Sequence, residues 1–114
     1  MKLMWIAVLM VASTLAPIVS ARGESGDVKI FWPPADGQVR AGVENLLVYD
    51  ATPGPNGSHL HVWVDDQRGP GVRNWDGTYD LPGLNPGEHV ITIKVVDKEH
   101  RPTGVEKSIR IIAQ

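Results

Sequence analysis

LPGLNPGEHVITIKVVD, residues 81–97, decides how this chain folds. Its first half is turn chemistry. Pro82-Gly83 and Pro86-Gly87 remove amide donors and add backbone freedom, both of which work against a helix. Its second half alternates: Ile91, Ile93 and Val95 fall on one face, and Val90, Thr92, Lys94 and Val96 on the other. A period of two is that of a β-strand, with the isoleucine row toward a core. A tight corner feeding such a strand predicts an antiparallel β protein.

The same grammar recurs on both sides of this segment. Upstream, VKIFW (28–32) is stopped by Pro33-Pro34 and the turn ADGQV, and LLVYDA (46–51) is stopped by TPGPNG. Then comes SHLHVWVDD (58–66), where Leu60, Val62 and Val64 form the apolar row, followed by the Gly/Pro-rich QRGPGVRN, which reads as a loop. Residues 75–81 carry a weaker strand or two. Downstream, GVEKSIRIIA (104–113) closes the domain with a second clear alternation. Short β-branched runs separated by turn residues, without a sustained helical period, predict an all-β fold. The expected architecture is an antiparallel β-sandwich of about seven strands with Leu60, Val62, Ile91, Ile93, Ile109 and Ile111 in one core.

The N-terminus has the pattern of an export signal. Lys2 precedes an apolar run, LMWIAVLMVASTLAPIV, and Val19-Ser20-Ala21 places small residues at a cleavage site. The expected organisation is a signal peptide at 1–21 and a single domain at 22–114, with no membrane span once the leader is removed. The domain is then periplasmic or secreted. It holds 10 basic against 13 acidic residues, a net charge of −3. Without a basic stripe, nucleic acid is excluded as a partner. With no cysteine in the chain, thiolate metal sites and thiol catalysis are excluded, and the core must hold without disulfides. The oligomeric expectation is a monomer or weak dimer.

The pattern H-x-H-x-x-x-D-D, L-x-P-G-x-H, V-D-x-x-H, running from His59 to His100, resembles small exported bacterial domains of unknown function with an immunoglobulin-like fold. The corner and strand at 81–97 look like the E-to-F corner and F strand of such domains. The Cys-Trp-Cys pattern of antibody domains is missing, so the resemblance points to the fibronectin type III or bacterial Ig branch. It implies that residues 58–66 and 89–97 are the neighbouring C and F strands. This architecture hosts many unrelated functions and by itself names none.

That topology places the histidines. His59 and His61 begin strand C two residues apart, so their rings point the same way, and His100 lies just past the end of strand F. All three share one end of the sandwich. His89 starts strand F, roughly 26 Å from Asp97 at strand pitch, and is expected at the opposite pole as a cap on the corner. The outer face of strand C should therefore present His59, His61 and Trp63 as an open surface cluster. Imidazoles in that arrangement suit Cu(II) or Zn(II), with Asp97 or Glu99 completing the shell. Copper leads, because it binds histidine sites most tightly among the divalent first-row ions.

The expected function is thus an exported binding module with a copper or zinc site formed by His59, His61, His100 and Asp97, acting in metal handling. The alternative is a metal-free module that engages an envelope protein or glycan through its C-strand face. Catalysis is not expected: no G-x-S-x-G occurs, and Ser58 beside His59 lacks the separated acid of a triad. Asp65, Asp66, Asp76 and Asp80 lack the D-x-D-x-D-G spacing of a calcium loop and read as solvated loop acids. Trp32 and Trp75 are expected to cover the ends of the sandwich.

Overall fold

The computed structural model describes residues 26–114; the expected leader, with its expected cleavage after Ala21, lies outside them. The described residues are all β, with no helix long and apolar enough to cross a membrane. Eight strands form two sheets: β1 (Asp27–Trp32), β2 (Gln38–Val39), β3 (Asn45–Thr52), β4 (His59–Val64), β5 (Gln67–Val72), β6 (Asp76–Leu81), β7 (Gly87–Val96) and β8 (Pro102–Ala113). One sheet has the order β1-β3-β6 and the other β2-β8-β7-β4-β5. All pairs are antiparallel except the short β2–β8 contact, which is parallel.

Two elements differ from the sequence reading. QRGPGV, expected as a loop, is strand β5, an edge strand hairpinned to β4. Proline and glycine are tolerated there because an edge strand need not donate on both sides. The glycines also remove side chains that the interior could not fit. A Cβ at Gly69 would lie 2.7 Å from the Tyr79 hydroxyl and 2.8 Å from the Val62 carbonyl oxygen. β2, read as part of a turn, pairs through Val39 with Ala113.

The two sheets close on the isoleucine rows. Leu60, Val62, Ile91, Ile93 and Ile111 are essentially fully buried, Ile109 is nearly so, and Leu47, Tyr49 and Leu81 meet them from the opposite sheet. The hydroxyl of Tyr49 donates to the Asn74 carbonyl oxygen at 2.7 Å, so the one phenol in this core is satisfied. Leu81 and Leu84 anchor the corner from within. Trp75 is partly buried and packs against the core. Trp32 does not cover an end: it is 48% exposed, beside Phe31 at 58%, where β1 carries a bulge against β3.

For the histidines the decisive feature is the β4–β7 register. His59 faces Val96 and His61 faces Lys94. The start of β4 therefore lies beside the end of β7 and the loop at 97–101. His89, at the other end of β7, pairs with Ile111.

Candidate metal centre

β4 brings His59 and His61 onto the face opposite Leu60 and Val62, as alternation requires. They are not surface groups, however: His59 is 3% and His61 4% exposed. The expectation of an open cluster is corrected here. β4 is an interior strand flanked by β7 and β5, and the three imidazoles pack against one another over the start of its outer face. His100 adds a third ring above the pair. Edge-on contacts join His59 to His61 at 5.1 Å and His59 to His100 at 4.7 Å between ring centroids, and His61 and His100 are 5.7 Å apart.

Glycine makes the room. Gly71 stands opposite His61 on β5. A Cβ at this position would approach His59 Cδ2 to 3.2 Å and His61 Cε1 to 3.6 Å. The Gly-Pro-Gly run that hid β5 in the sequence is thus the wall of the histidine site.

The tautomers follow from the partners. His61 Nδ1 lies 2.8 Å from the Gly69 carbonyl oxygen, which can only accept, so Nδ1 carries the hydrogen. In the neutral ring Nε2 is then a bare lone pair. It is buried and has no hydrogen-bond partner among the described residues. Leaving a buried acceptor unpaired costs on the order of 1–3 kcal/mol, so such groups call for an explanation. His59 Nδ1 lies 3.0 Å from Ser58 Oγ, which can accept its hydrogen and leave Nε2 bare in turn. Burial first, and then His100, His61, Arg73 and Arg68 nearby, lower the His59 pKa below the usual histidine value, so the ring is neutral at neutral pH. One nitrogen from each ring lies within 4.8 Å of the others, and this trio is the one such grouping of His, Cys, Asp or Glu found among the described residues.

Asp97 stands outside the trio. Its Oδ1 accepts from the amides of Glu99 and Arg101 at 2.9 Å, and its Oδ2 accepts from Arg101 Nε at 3.1 Å. These bonds hold its carboxyl below the usual carboxylate range, the Arg101 amide most of all. The carboxylate staples the loop that presents His100. Glu99 is likewise turned to Arg101, at 3.2 Å. The loop holds His100 at φ 67°, a left-handed conformation in which glycine is the usual occupant and histidine one of the less disfavoured side chains. His100 donates its amide to the Asp97 carbonyl oxygen at 2.9 Å. Strain of this kind is a pointer to function when the strained residue reaches a cluster.

His89 takes a different role at the far pole. Nδ1 donates to Asp65 Oδ2 and Nε2 to the Asn85 carbonyl oxygen, both at 2.7 Å. Two acceptors demand two hydrogens, so the ring is an imidazolium. Its pKa is raised, first by the Asp65 hydrogen bond and then by the Asn85 carbonyl. With both nitrogens engaged, His89 has no lone pair for a metal. Trp63 shares the outer face as expected, half-buried, with the Lys94 ammonium 4.7 Å from its ring centroid. Sequence reasoning missed Gly69, Gly71 and Ser58 as supports of the site. A pair of glycines two residues apart in the segment following an H-x-H strand is the signal that could have found them.

No family model matches the sequence, and no curated protein matches it. Among solved structures, the chain is similar to the fibronectin(III)-like modules of Clostridium thermocellum CbhA, with a TM-score of 0.62 and 16% identity over 75% of this chain and 93% of that one. That likeness establishes an immunoglobulin- or fibronectin III-like fold.

Proposed function

We propose that this domain is an exported metal-binding module, in which His59, His61 and His100 hold Cu(II) or Zn(II) at one end of the sandwich as part of metal handling outside the cytoplasm. The observation that carries this reading is the buried, unpartnered Nε2 of His61, aimed into a group of three imidazoles. The Nδ1–H···O=C bond from His61 to Gly69 is the support that metal-ligating histidines ordinarily have, fixing the tautomer and the ring plane. A donor set of three imidazole nitrogens with no thiolate suits these two ions. The sequence pattern of the leader supports a periplasmic or secreted location. Calorimetric titration with Cu(II) and Zn(II) tests the reading. Binding of one ion per chain is expected, weakened at least tenfold, about 1.4 kcal/mol, by alanine at any one of the three histidines and unaffected by His89→Ala. Equal affinity for the wild type and all three variants would sink it.

A metal-free interaction module is the second reading, and one observation favours it. Phe31 and Trp32 are both large, aromatic and about half exposed on the edge strand β1, a surface suited to an envelope protein or glycan. On the C-strand face His59 and His61 are buried, and Trp63 is half-buried beneath Lys94.

A further inference from the structure

The spacing of the three rings bears on which ion they suit and what it leaves open. For a metal–nitrogen distance of about 2.0–2.1 Å, each imidazole centroid lies about 3.2 Å from the ion. Around a tetrahedral ion the centroids are then about 5.2 Å apart; in a square plane three rings give two separations near 4.5 Å and one near 6.4 Å. The observed separations are 4.7, 5.1 and 5.7 Å. They cluster about the tetrahedral value, and the widest falls well short of a trans pair. His61 is held by β4 and by Gly69, and His59 by β4 and by Ser58, so adjustment toward a common ion falls mainly to the exposed, loop-borne His100.

Among the described residues, no fourth His, Cys, Asp or Glu joins the three imidazoles. Asp97 and Glu99 are committed to the loop and Arg101. Three neutral imidazoles leave the charge of the ion uncompensated, with Arg68 and Arg73 on the same side as His59.

Resting on the metal reading above, we propose that the trio is a tetrahedral centre for a closed-shell d10 ion, Zn(II) or Cu(I), whose fourth position is open to an exchangeable small anion. A tetragonal Cu(II) centre with all three rings in its plane requires a near-linear pair, which separations of 4.7, 5.1 and 5.7 Å do not supply. The open corner gives the module a second ligand: an anion, or an anionic donor from a partner that receives the metal.

Co(II) serves as the probe, because its visible bands are intense in a tetrahedral field and weak in an octahedral one. The chain recovered after export is loaded with Co(II), then titrated with azide, and separately with Zn(II) or with Cu(I) under reducing conditions. Intense bands that shift on adding azide, that Zn(II) or Cu(I) removes at one equivalent, and that are lost in His61→Ala but kept in His89→Ala, are the expected result. Whichever ion displaces Co(II) at lower concentration is the preferred guest. A weak octahedral spectrum, or tetrahedral bands indifferent to azide, with metal still lost in His61→Ala, overturns the open tetrahedral centre while leaving the metal reading intact. Absence of any band that depends on His61 overturns both.

Discussion

Replacing His100 by glycine separates what this residue does for the fold from what it does for the site. The backbone at His100 has φ 67°, which costs an ordinary L-residue about 1–2 kcal/mol and a histidine toward the lower end of that range. Glycine removes this cost but gains freedom in the unfolded chain worth about 0.5–1 kcal/mol. The edge contact of His100 with His59, 4.7 Å between centroids, is also lost, at about 0.5 kcal/mol for an exposed ring. These effects nearly cancel. Without metal, His100→Gly should therefore unfold within about 1 kcal/mol of wild type, a shift in Tm of no more than about 4–8 °C either way. With metal the two should part. Free ion at one hundred times its Kd stabilises the wild type by about 2.7 kcal/mol, and a tenfold loss of affinity removes about 1.4 kcal/mol of that. Thermal melts with chelator and with Zn(II) read both quantities. If the metal-free variant lost more than about 2 kcal/mol, His100 would be a structural residue. If it kept the full metal-dependent rise, His100 would not be a ligand.

The wall of the site is tested by Gly71→Ala. The added methyl would sit 3.2 Å from His59 Cδ2, so metal affinity should fall several-fold while chelator-treated stability drops by less than about 2 kcal/mol; equal affinity in a titration would show that the rings have slack. The His89–Asp65 pair predicts a pH dependence of stability away from the metal site. His89 is raised, so its contribution is complete below the unfolded histidine value of 6.5 and fades as pH rises through the folded one. Asp65 is lowered: desolvation is the largest single effect and opposes this, but the His89 hydrogen bond, the Val90 amide and the His89 charge together outweigh it, so its contribution fades as pH falls below the carboxylate range. Melts from acidic to alkaline pH should show stability declining on the alkaline side, and His89→Ala should flatten that slope and cost on the order of 1 kcal/mol at pH 6; an unchanged slope would remove the pair from the account. In the core, Ile93→Ala at a fully buried position should cost about 2–5 kcal/mol in a denaturant titration, and under 1 kcal/mol would mean the two sheets do not close there.

Which parts of this molecule could be read from its sequence follows from what each signal depends on. β7 was legible because its apolar row alternates from Ile91 to Val95, β8 because Ile109 and Ile111 alternate at its C-terminal end, and the corner at 81–89 because proline and glycine mark turns directly. β5 was not. Its Gly-Pro-Gly resembles a loop by local propensity, and the reason it is a strand is tertiary: the glycines clear Tyr79, the Val62 carbonyl and the histidine rings. The convergence of His59, His61 and His100 followed from topology, since antiparallel C and F strands bring the start of one to the end of the other. Their burial did not, because alternation tells which face a side chain takes and not whether an interior strand leaves that face open. Asp97 shows the same limit. Its place beside His100 in sequence suggested a ligand, and the hydrogen bonds that engage both its oxygens are visible only once the loop is built.

Anomalous diffraction from crystals grown with Zn(II) shows whether the three imidazoles share one ion. A single strong peak is expected about 2.0–2.1 Å from Nε2 of His61 and from one nitrogen each of His59 and His100, with His89 still bound to Asp65 and Asn85. A peak at His89 or among the surface acids, with the trio empty and its rings unmoved, would contradict a shared ion.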